Sequence, residues 1–427
     1  MLFFLSKSLS FVMLERSRHF LIYFVSSVMN KLMPLILLPI LTRFLSENEF
    51  GALAIYQLLL VLSVSVVGMN IQNNITKSFY DKTKDEIALL IGNVIFTLTL
   101  SLILWSVVSL VIYLSIEEVF SVPAGWFALL PFIAFCSVLI ELLLTVYRND
   151  GKPLNFAGIE VGRSAIELIL TLYLVVVITA GLSGRLSAML IAIGSFALFS
   201  VYILKRSGYI NYELNRNYLR EILLVSLPLI PHALAGASLS MSNRLFLERI
   251  EGTSAVAVFA VSYQFAMVLS LVTIALNRTW APWLYKAISK DSVVTKNEIV
   301  QKLYIYWVAV FVISLIVTLA SYFLIPIVVP PQYHAAYDFV IYLAVGYSFY
   351  AMYNSIFPFF VYYSRTKMIA VITFSVAIVS LLINFFLIQE KGIMGASLSF
   401  LISYLLLFII SFIAVNSLIK MPWIRGK

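Results

Sequence analysis

Long apolar stretches separated by short polar breaks determine what this chain can fold into. Hydrophobic residues make up 62% of its 427 residues and charged residues only 11%, whereas soluble domains carry about a quarter charged residues. The stretches are rich in Leu, Ile, Val and Phe, and they lack the polar/apolar alternation of a membrane β-barrel. The sequence therefore predicts an all-α polytopic membrane protein and excludes a water-soluble globular one.

Charged residues, prolines and glycines divide these stretches into twelve predicted transmembrane helices, since one span takes about 20 apolar residues. The predicted spans cover residues 20–45, 50–75, 87–116, 126–147, 154–180, 186–204, 219–242, 253–277, 303–329, 337–363, 368–388 and 393–419. The residues outside these spans are too few for a large soluble domain. Six spans in each half predict two lobes, residues 1–210 and 211–427, that enter the membrane from the same side.

A weak internal repeat supports two pseudo-symmetric lobes. Sliding the second half along the first aligns Lys31 with His232 and, at the same offset, Arg43 with Arg244. Further along, Tyr56 aligns with Tyr263 at a slightly larger offset. Two bundles related in this way are typical of transporters that open a central cavity to alternate sides of the membrane.

Positive charges fall mostly on one predicted side of the membrane. Of the 29 Lys and Arg residues, 22 lie on the side of both termini and five on the other side, while Lys31 and Arg163 lie inside spans. The positive-inside rule then places both termini in the cytoplasm. The five cations on the outer side are Arg43, Arg185, Arg244, Arg249 and Lys391.

Several features of other protein classes are missing from the sequence. The net charge of +9 is spread between hydrophobic blocks, unlike the solvated basic face of a nucleic-acid-binding protein. The lone Cys136 allows no intramolecular disulfide, and Cys/His metal spacings are absent. No cleavage pattern follows residues 1–14, so we expect no removable signal peptide. An interfacial N-terminal helix and a true start at Met13 both fit that segment.

Basic groups inside predicted spans mark candidate binding residues. Lys31 lies about 16 Å and His232 about 20 Å into their helices at 1.5 Å per residue, and prolines interrupt both helices. Charged residues at such depth are usually functional. The plainer alternatives are that Lys31 extends toward the membrane surface and that His232 caps a carbonyl freed by a proline.

Three further basic residues lie near predicted span ends. Arg278, close to Trp280 and Trp283, belongs either to an interfacial aromatic belt or to a basic mouth for an anionic, sugar-bearing head group. Arg43 and Arg244 are either interfacial anchors or parts of an outer gate. Tyrosines of the tenth span could stack on sugars, although most are expected to face lipid or other helices.

Acidic residues form a second predicted cluster. Glu160, Arg163 and Glu167 share one face of the fifth span, and Glu141 lies at a similar depth in the fourth. Three carboxylates beside one guanidinium would leave an acidic excess, so at least one carboxyl should bind a proton. The cluster is therefore either a structural ion-pair network or a site that couples transport to H⁺ or Na⁺.

Two classes of activity find no support. No phosphate-binding Walker lysine motif is present, so direct use of ATP by this chain is excluded. No long outer loop could carry the acidic residues of a glycosyltransferase or polymerase. We therefore expect a transporter without a cofactor or metal rather than an enzyme.

Residues 35–56, LILLPILTRFLSENEFGALAIY, and their counterparts at 243–252, NRLFLERIEG, and 258–263, VFAVSY, carry a family resemblance. With its length and twelve spans, the chain resembles the Wzx-type flippases of O-antigen and other polysaccharide units, in the multidrug/oligosaccharidyl-lipid/polysaccharide (MOP) exporter superfamily. Family members often have Asp-Arg where this chain has Asn243-Arg244, a departure that puts an ion role for position 243 in doubt.

The resemblance implies a MATE-like fold and a function. The protein would translocate an undecaprenyl-pyrophosphate-linked oligosaccharide across the bacterial inner membrane by alternating access, beside polysaccharide polymerase and chain-length partners. The charge pattern supplies candidates for the site of such a protein. Candidate head-group ligands are Lys31, Arg163, His232 and Arg278, candidate ion-coupling residues are Glu141, Glu160 and Glu167, and candidate outer-gate residues are Arg43 and Arg244. A cation-coupled drug antiporter of the same superfamily and a polysaccharide polymerase remain as alternatives.

Overall fold

A computed structural model describes residues 2–69, 71–79, 81–227, 229–289 and 292–423, with the side chains of 2–18, 20, 73, 74, 77, 232, 293 and 366 outside that description. Almost all of this part of the chain is helical. The helices are α1 (Leu2–Phe44), α2 (Glu47–Gly68), α3 (Gln72–Ser78), α4 (Lys84–Ser115), α5 (Ala124–Asn149), α6 (Pro153–Thr171), α7 (Gly181–Arg206), α8 (Arg216–Ser226), α9 (Leu229–Met241), α10 (Asn243–Glu251), α11 (Thr253–Ala266), α12 (Val268–Ile288), α13 (Val293–Val328), α14 (Tyr337–Tyr362) and α15 (Thr366–Leu418). A short hairpin, β1 (Glu118–Val119) and β2 (Val122–Pro123), separates α4 from α5.

Ten helical segments of the described chain are long and apolar enough to cross a membrane. The sequence predicts twelve spans, two more than these ten segments, and each of the two has a structural explanation. Helix α15 contains two spans, because Gly392 breaks its helical geometry with φ 54° and ψ −129°. Helix α6 carries Glu160, Arg163 and Glu167, three charges within 19 residues. With these two, the described residues accommodate the twelve predicted spans, and the prediction of an all-α polytopic membrane protein is confirmed.

The chain separates into two compact units. The first comprises Met1–Leu37 and Leu59–Ile230, and the second comprises Leu38–Leu58 and Pro231–Lys427. The chain therefore passes from one unit to the other within α1, within α2 and near the start of α9. The predicted lobes, residues 1–210 and 211–427, stay a prediction, and the compact units assign Leu38–Leu58 and residues 211–230 to the other group.

The segment between α7 and α8 is pinned inside the first unit. It crosses α4 at Gly92, where a Cβ atom would overlap the carbonyl oxygen of Asn211. The next residue, Asn93, donates to the carbonyl of Glu213 at 3.0 Å and accepts from the amide of Asn215 at 2.9 Å. The amide of Asn211 in turn bonds the Ala88 carbonyl at 3.0 Å. The segment is thus packed structure rather than a loose tether.

The second unit is held together by α14 and α15 and by the helices that pack on them. Small residues permit close helix contacts, as where Gly346 of α14 meets the ring of Phe400 in α15. Buried serines form short polar links, such as the 2.7 Å bond from Ser403 to Ser380 across the two halves of α15. Such links satisfy hydroxyl groups that hydrocarbon could not.

Candidate functional site

Helices α1, α6 and α7 of the first unit share a polar network in otherwise apolar surroundings. Helix α6 supplies its centre, because Glu160, Arg163 and Glu167 recur at intervals of three and four residues and lie on one helical face. The helix begins at Pro153, whose fixed φ suits the first turn. Its end runs directly into a π-helical segment, Leu172–Val177, a geometry that is frequent at functional sites.

Glu167 is the most tightly held carboxylate of the network. Its Oε1 accepts a hydrogen bond from Nη2 of Arg185 at 2.7 Å, and its Oε2 accepts one from Nη1 of Arg163 at 3.2 Å. Arg185 also donates through Nη1 to Oγ1 of Thr171 at 3.0 Å. Arg185 and Glu167 are only 4% and 8% exposed. Their pairing is what allows two charges to be buried together.

Glu160 is held differently, by neutral donors on α1. Asn30 donates to its Oε1 at 3.3 Å and Ser27 to its Oε2 at 3.3 Å. The side-chain oxygen Oδ1 of the same Asn30 accepts from Arg163 at 3.1 Å and from Ser164 at 3.0 Å. One asparagine therefore bridges the carboxylate and the guanidinium. A change in its hydrogen bonds would therefore alter the surroundings of both Glu160 and Arg163, which is also a partner of Glu167.

The charge balance of this network differs from the expectation. The charge pattern predicts Arg185 at the outer surface, whereas the structure buries it against Glu167, so two guanidiniums pair with this one carboxylate. Glu141 lies within electrostatic range of Glu160 and Arg163, and its own ion pair, at 3.3 Å, is with Arg148. The expected ratio of three carboxylates to one guanidinium was therefore wrong. Of the three carboxylates predicted to converge on Arg163, Glu167 forms an ion pair with it, while Glu141 pairs with Arg148 and Glu160 accepts hydrogen bonds from α1.

The remaining head-group candidates are placed as follows. Lys31 has an exposed side chain and follows Asn30 in α1, whose membrane-spanning part is Leu21–Phe44. Arg278 is half-buried in α12. The side chain of His232 lies outside the described residues. Arg163 is engaged with Glu167 and Asn30, so it would have to exchange partners to bind a ligand.

The two gate candidates both contact main-chain carbonyls of the second unit. Arg244 is buried, and its Nη1 donates to the carbonyl of Ala54 at 3.0 Å. Arg43 is exposed, and its Nη2 lies 3.5 Å from the carbonyl of Ile327, at the limit of a hydrogen bond. The charge pattern predicts Arg244 at the outer surface, whereas the structure buries its side chain in the protein interior.

The tyrosines of the tenth predicted span pack against other rings of their own unit. Tyr347 lies 5.2 Å from Phe400 and 5.8 Å from Tyr263, measured between ring centroids. Tyr350 packs edge-on against Tyr404 at 5.2 Å. These spacings are those of aromatic pairs in a protein core. The rings therefore form core contacts in this conformation rather than an open stacking surface.

Among the residues that the structure describes, no group of three or more His, Cys, Asp or Glu side chains is arranged to hold a metal ion.

Two members of the polar network, Arg185 and Asn30, are not among the site residues predicted from the sequence. A signal for Asn30 was present, because Ser26, Ser27 and Asn30 add polar groups to the first span beside Lys31.

Two solved structures of membrane proteins share this fold. The chain matches an inward-facing MATE-family multidrug transporter of the MOP superfamily with a TM-score of 0.69 and 16% identity, over 91% of this chain and 94% of that one. It matches the lipid II flippase MurJ with a TM-score of 0.71 and 12% identity, over 93% and 87% of the two chains. The chain therefore shares its fold with these two proteins, and the MATE-like fold that the sequence resemblance implies is confirmed.

Sequence comparison defines the family within this class. Residues 17–288, more than half of the chain, match the family described as polysaccharide biosynthesis protein, and the chain belongs to that family. A protein of the Lsg locus of Haemophilus influenzae is 25% identical over 286 residues, covering 65% of this chain and 67% of that protein. A membrane protein of the same organism is 23% identical over 289 residues, with the same coverage.

Proposed function

We propose that this protein is a flippase that carries an undecaprenyl-pyrophosphate-linked oligosaccharide across the bacterial inner membrane. Membership in the polysaccharide biosynthesis family supports a polysaccharide precursor as cargo. The MOP fold supports transport rather than catalysis. Polysaccharide polymerase and chain-length proteins would act on the delivered units. The sugar itself would be selected by the shape of the cavity.

The exposed side chain of Lys31 is the observation that carries this proposal. Lys31 lies ten residues from the start of the Leu21–Phe44 span, which is about 15 Å along the helix axis. A cation at that depth is costly in hydrocarbon and is typically found where a polar substrate passes. A diphosphate is a strong partner for it, because charge-assisted hydrogen bonds to phosphate are among the strongest in proteins. Arg163, His232 and Arg278 are proposed as further head-group ligands.

Direct transport tests the proposal against the drug-antiporter alternative. Purified protein is reconstituted into vesicles with a fluorescent undecaprenyl-pyrophosphate-linked oligosaccharide, and an impermeant quencher reports the fraction in the outer leaflet. We expect the lipid-linked sugar to exchange between leaflets and the bare undecaprenyl-phosphate to exchange far more slowly. Uptake of cationic dyes without movement of the sugar lipid would favour the antiporter.

We also propose that Glu160 couples transport to H⁺ or Na⁺. Glu167 is fixed by two guanidiniums, at 2.7 Å and 3.2 Å. Among the described residues, the hydrogen-bond donors to Glu160 are Ser27 and Asn30, both neutral, so a proton or Na⁺ can replace them at lower cost than it could replace the guanidiniums at Glu167. Because Asn30 also accepts a hydrogen bond from Arg163, its release from Glu160 would alter the hydrogen bonding of Arg163. Glu141, with its half-exposed partner Arg148, is the second candidate for ion exchange.

The coupling role predicts a split between two measurements. Glu160→Gln should keep the amount of folded protein and downhill exchange near the parental values, while transport driven by an ion gradient falls at least tenfold. The same vesicles with and without an imposed H⁺ or Na⁺ gradient provide the measurement. Glu298→Gln is the matched control, because Glu298 pairs with Lys302 at an exposed site. A Glu160→Gln protein with full gradient dependence would remove Glu160 from the coupling site.

The proposed orientation places both termini in the cytoplasm. Single cysteines at Glu117 and Ser289, both exposed positions, test it in a Cys136→Ala background. In intact cells an impermeant maleimide should label the cysteine at 117 and leave the one at 289 unlabelled until the cells are opened. Ready labelling at 289 from outside would reverse the proposed topology.

A further inference from the structure

The outer ends of the first two spans form a hairpin that belongs to the second compact unit. This hairpin, Leu38–Leu58, contains the end of α1, a short turn and the start of α2. Its residues Leu38, Leu53 and Tyr56 are almost completely buried. The rest of α1 and α2 belongs to the first unit. The hairpin is therefore packed on a different part of the protein from the helices that continue it.

A glycine determines how closely the hairpin docks. A Cβ atom at Gly51 would overlap the carbonyl oxygen of Thr253 and would lie 2.8 Å from its Cγ2. Thr253 is the first residue of α11, so this carbonyl is fixed main chain and cannot rotate away. Phe50 packs edge-on against Tyr333 beside this contact, with ring centroids 5.8 Å apart. The docked position requires glycine at residue 51.

Arg244 contacts the hairpin at the same interface, and its positive charge is buried there. Its Nη1 donates a hydrogen bond to the Ala54 carbonyl of the hairpin, and its guanidinium lies 4.8 Å from the ring centroid of Tyr263. It is 3% exposed, makes no ion pair with a described carboxylate, and its Nε has no hydrogen-bond partner. Burying a charge without an opposite charge is costly. Water reaching Arg244 would lower that cost, so this residue favours undocking.

We propose that the Leu38–Leu58 hairpin is a latch that undocks and redocks during transport. Gly51 permits the docked state, and the unpaired charge of Arg244 prevents that state from becoming too stable. The latch rests on the proposed transport function and gives Arg244 a defined action as a gate residue. Gly51 favours the docked state and Arg244 favours the undocked state. A purely structural contact would not require two residues with opposite effects.

The test uses a reporter cysteine whose reactivity needs no substrate. Ala54, which is buried, is replaced by cysteine in the Cys136→Ala background, and a water-soluble maleimide measures how often the hairpin exposes it in reconstituted vesicles. Gly51→Ala should raise the labelling rate about tenfold or more, although alanine is the better helix former. Arg244→Met should lower the rate below the parental value. Both changes should reduce transport several-fold.

Gly125→Ala is the matched control, since Gly125, like Gly51, lies near the start of a helix but has no atom within 4 Å of an added Cβ. It should leave labelling and transport unchanged. Parental labelling in both Gly51→Ala and Arg244→Met, or faster labelling in Arg244→Met, would overturn the latch. If the parent protein fails to move the sugar lipid, the proposed function fails, while the labelling rates still decide the latch.

Discussion

Arg185→Leu is expected to lower the free energy of unfolding by about 3–5 kcal/mol, the cost of leaving one partner of a buried ion pair alone. Glu167 would lose its 2.7 Å partner and Thr171 its guanidinium donor. Arg163 would remain as a weaker partner at 3.2 Å. Denaturant titration of the purified protein in micelles measures the loss.

Two companion variants make that result specific. Arg148→Leu breaks a pair whose side chains are 49% and 39% exposed, so it should cost less than about 1 kcal/mol. The double variant Glu167→Met with Arg185→Leu should recover part of the stability, because an apolar pair can replace a buried ion pair at little cost, while Arg163 loses its Glu167 partner. Equal losses for Arg185→Leu and Arg148→Leu would contradict a structural role for the buried pair.

Lys31→Ala should reduce surface polysaccharide roughly tenfold to a hundredfold at an unchanged level of membrane protein. The magnitude corresponds to losing a charge-assisted hydrogen bond of about 1.5–3 kcal/mol. Lys31→Arg should retain more activity, since the positive charge remains. Quantifying cell-surface polysaccharide against the amount of protein in the membrane separates transport from stability.

Ile36→Ala serves as the control for that experiment. Ile36 is exposed on the same helix, and its substitution also shortens an exposed side chain without changing charge. We expect normal polysaccharide from this variant. If Lys31→Ala also gives full polysaccharide, Lys31 is not part of the head-group site and the observation that carries the proposed function is lost.

The spans could be predicted because the bilayer demands one simple property, an apolar run of sufficient length. Predicted ends fall near the observed ones, as in the fourth span, 126–147 against Ala124–Asn149. The length of an apolar run does not show which helices pack against one another. The assignment of Leu38–Leu58 to the second unit depends on contacts such as Gly51 against Thr253, which no hydropathy pattern contains.

Arg185 shows how a small boundary error conceals a site residue. The sixth span was predicted to begin at Leu186, one residue later, so Arg185 was assigned to an outer connection. Helix α7 in fact begins at Gly181, and Arg185 lies in its second turn. The preceding π-helical segment ends the fifth span, and a sequence gives no reliable signal for that geometry. Because Arg185 lies outside the predicted span, the charge balance predicted from the sequence omits the guanidinium that pairs with Glu167.

The pinned segment between α7 and α8 limits how such proteins can be recombined into chimeras. A junction at residue 210 would take Asn211, Glu213 and Asn215 from one parent and their α4 partners from the other. The fit at Gly92 and the paired bonds of Asn93 would then depend on two unrelated sequences. A junction after Ile230, where the first compact unit ends, keeps these contacts within one parent. Helix α8 therefore has to be inherited together with the first six spans.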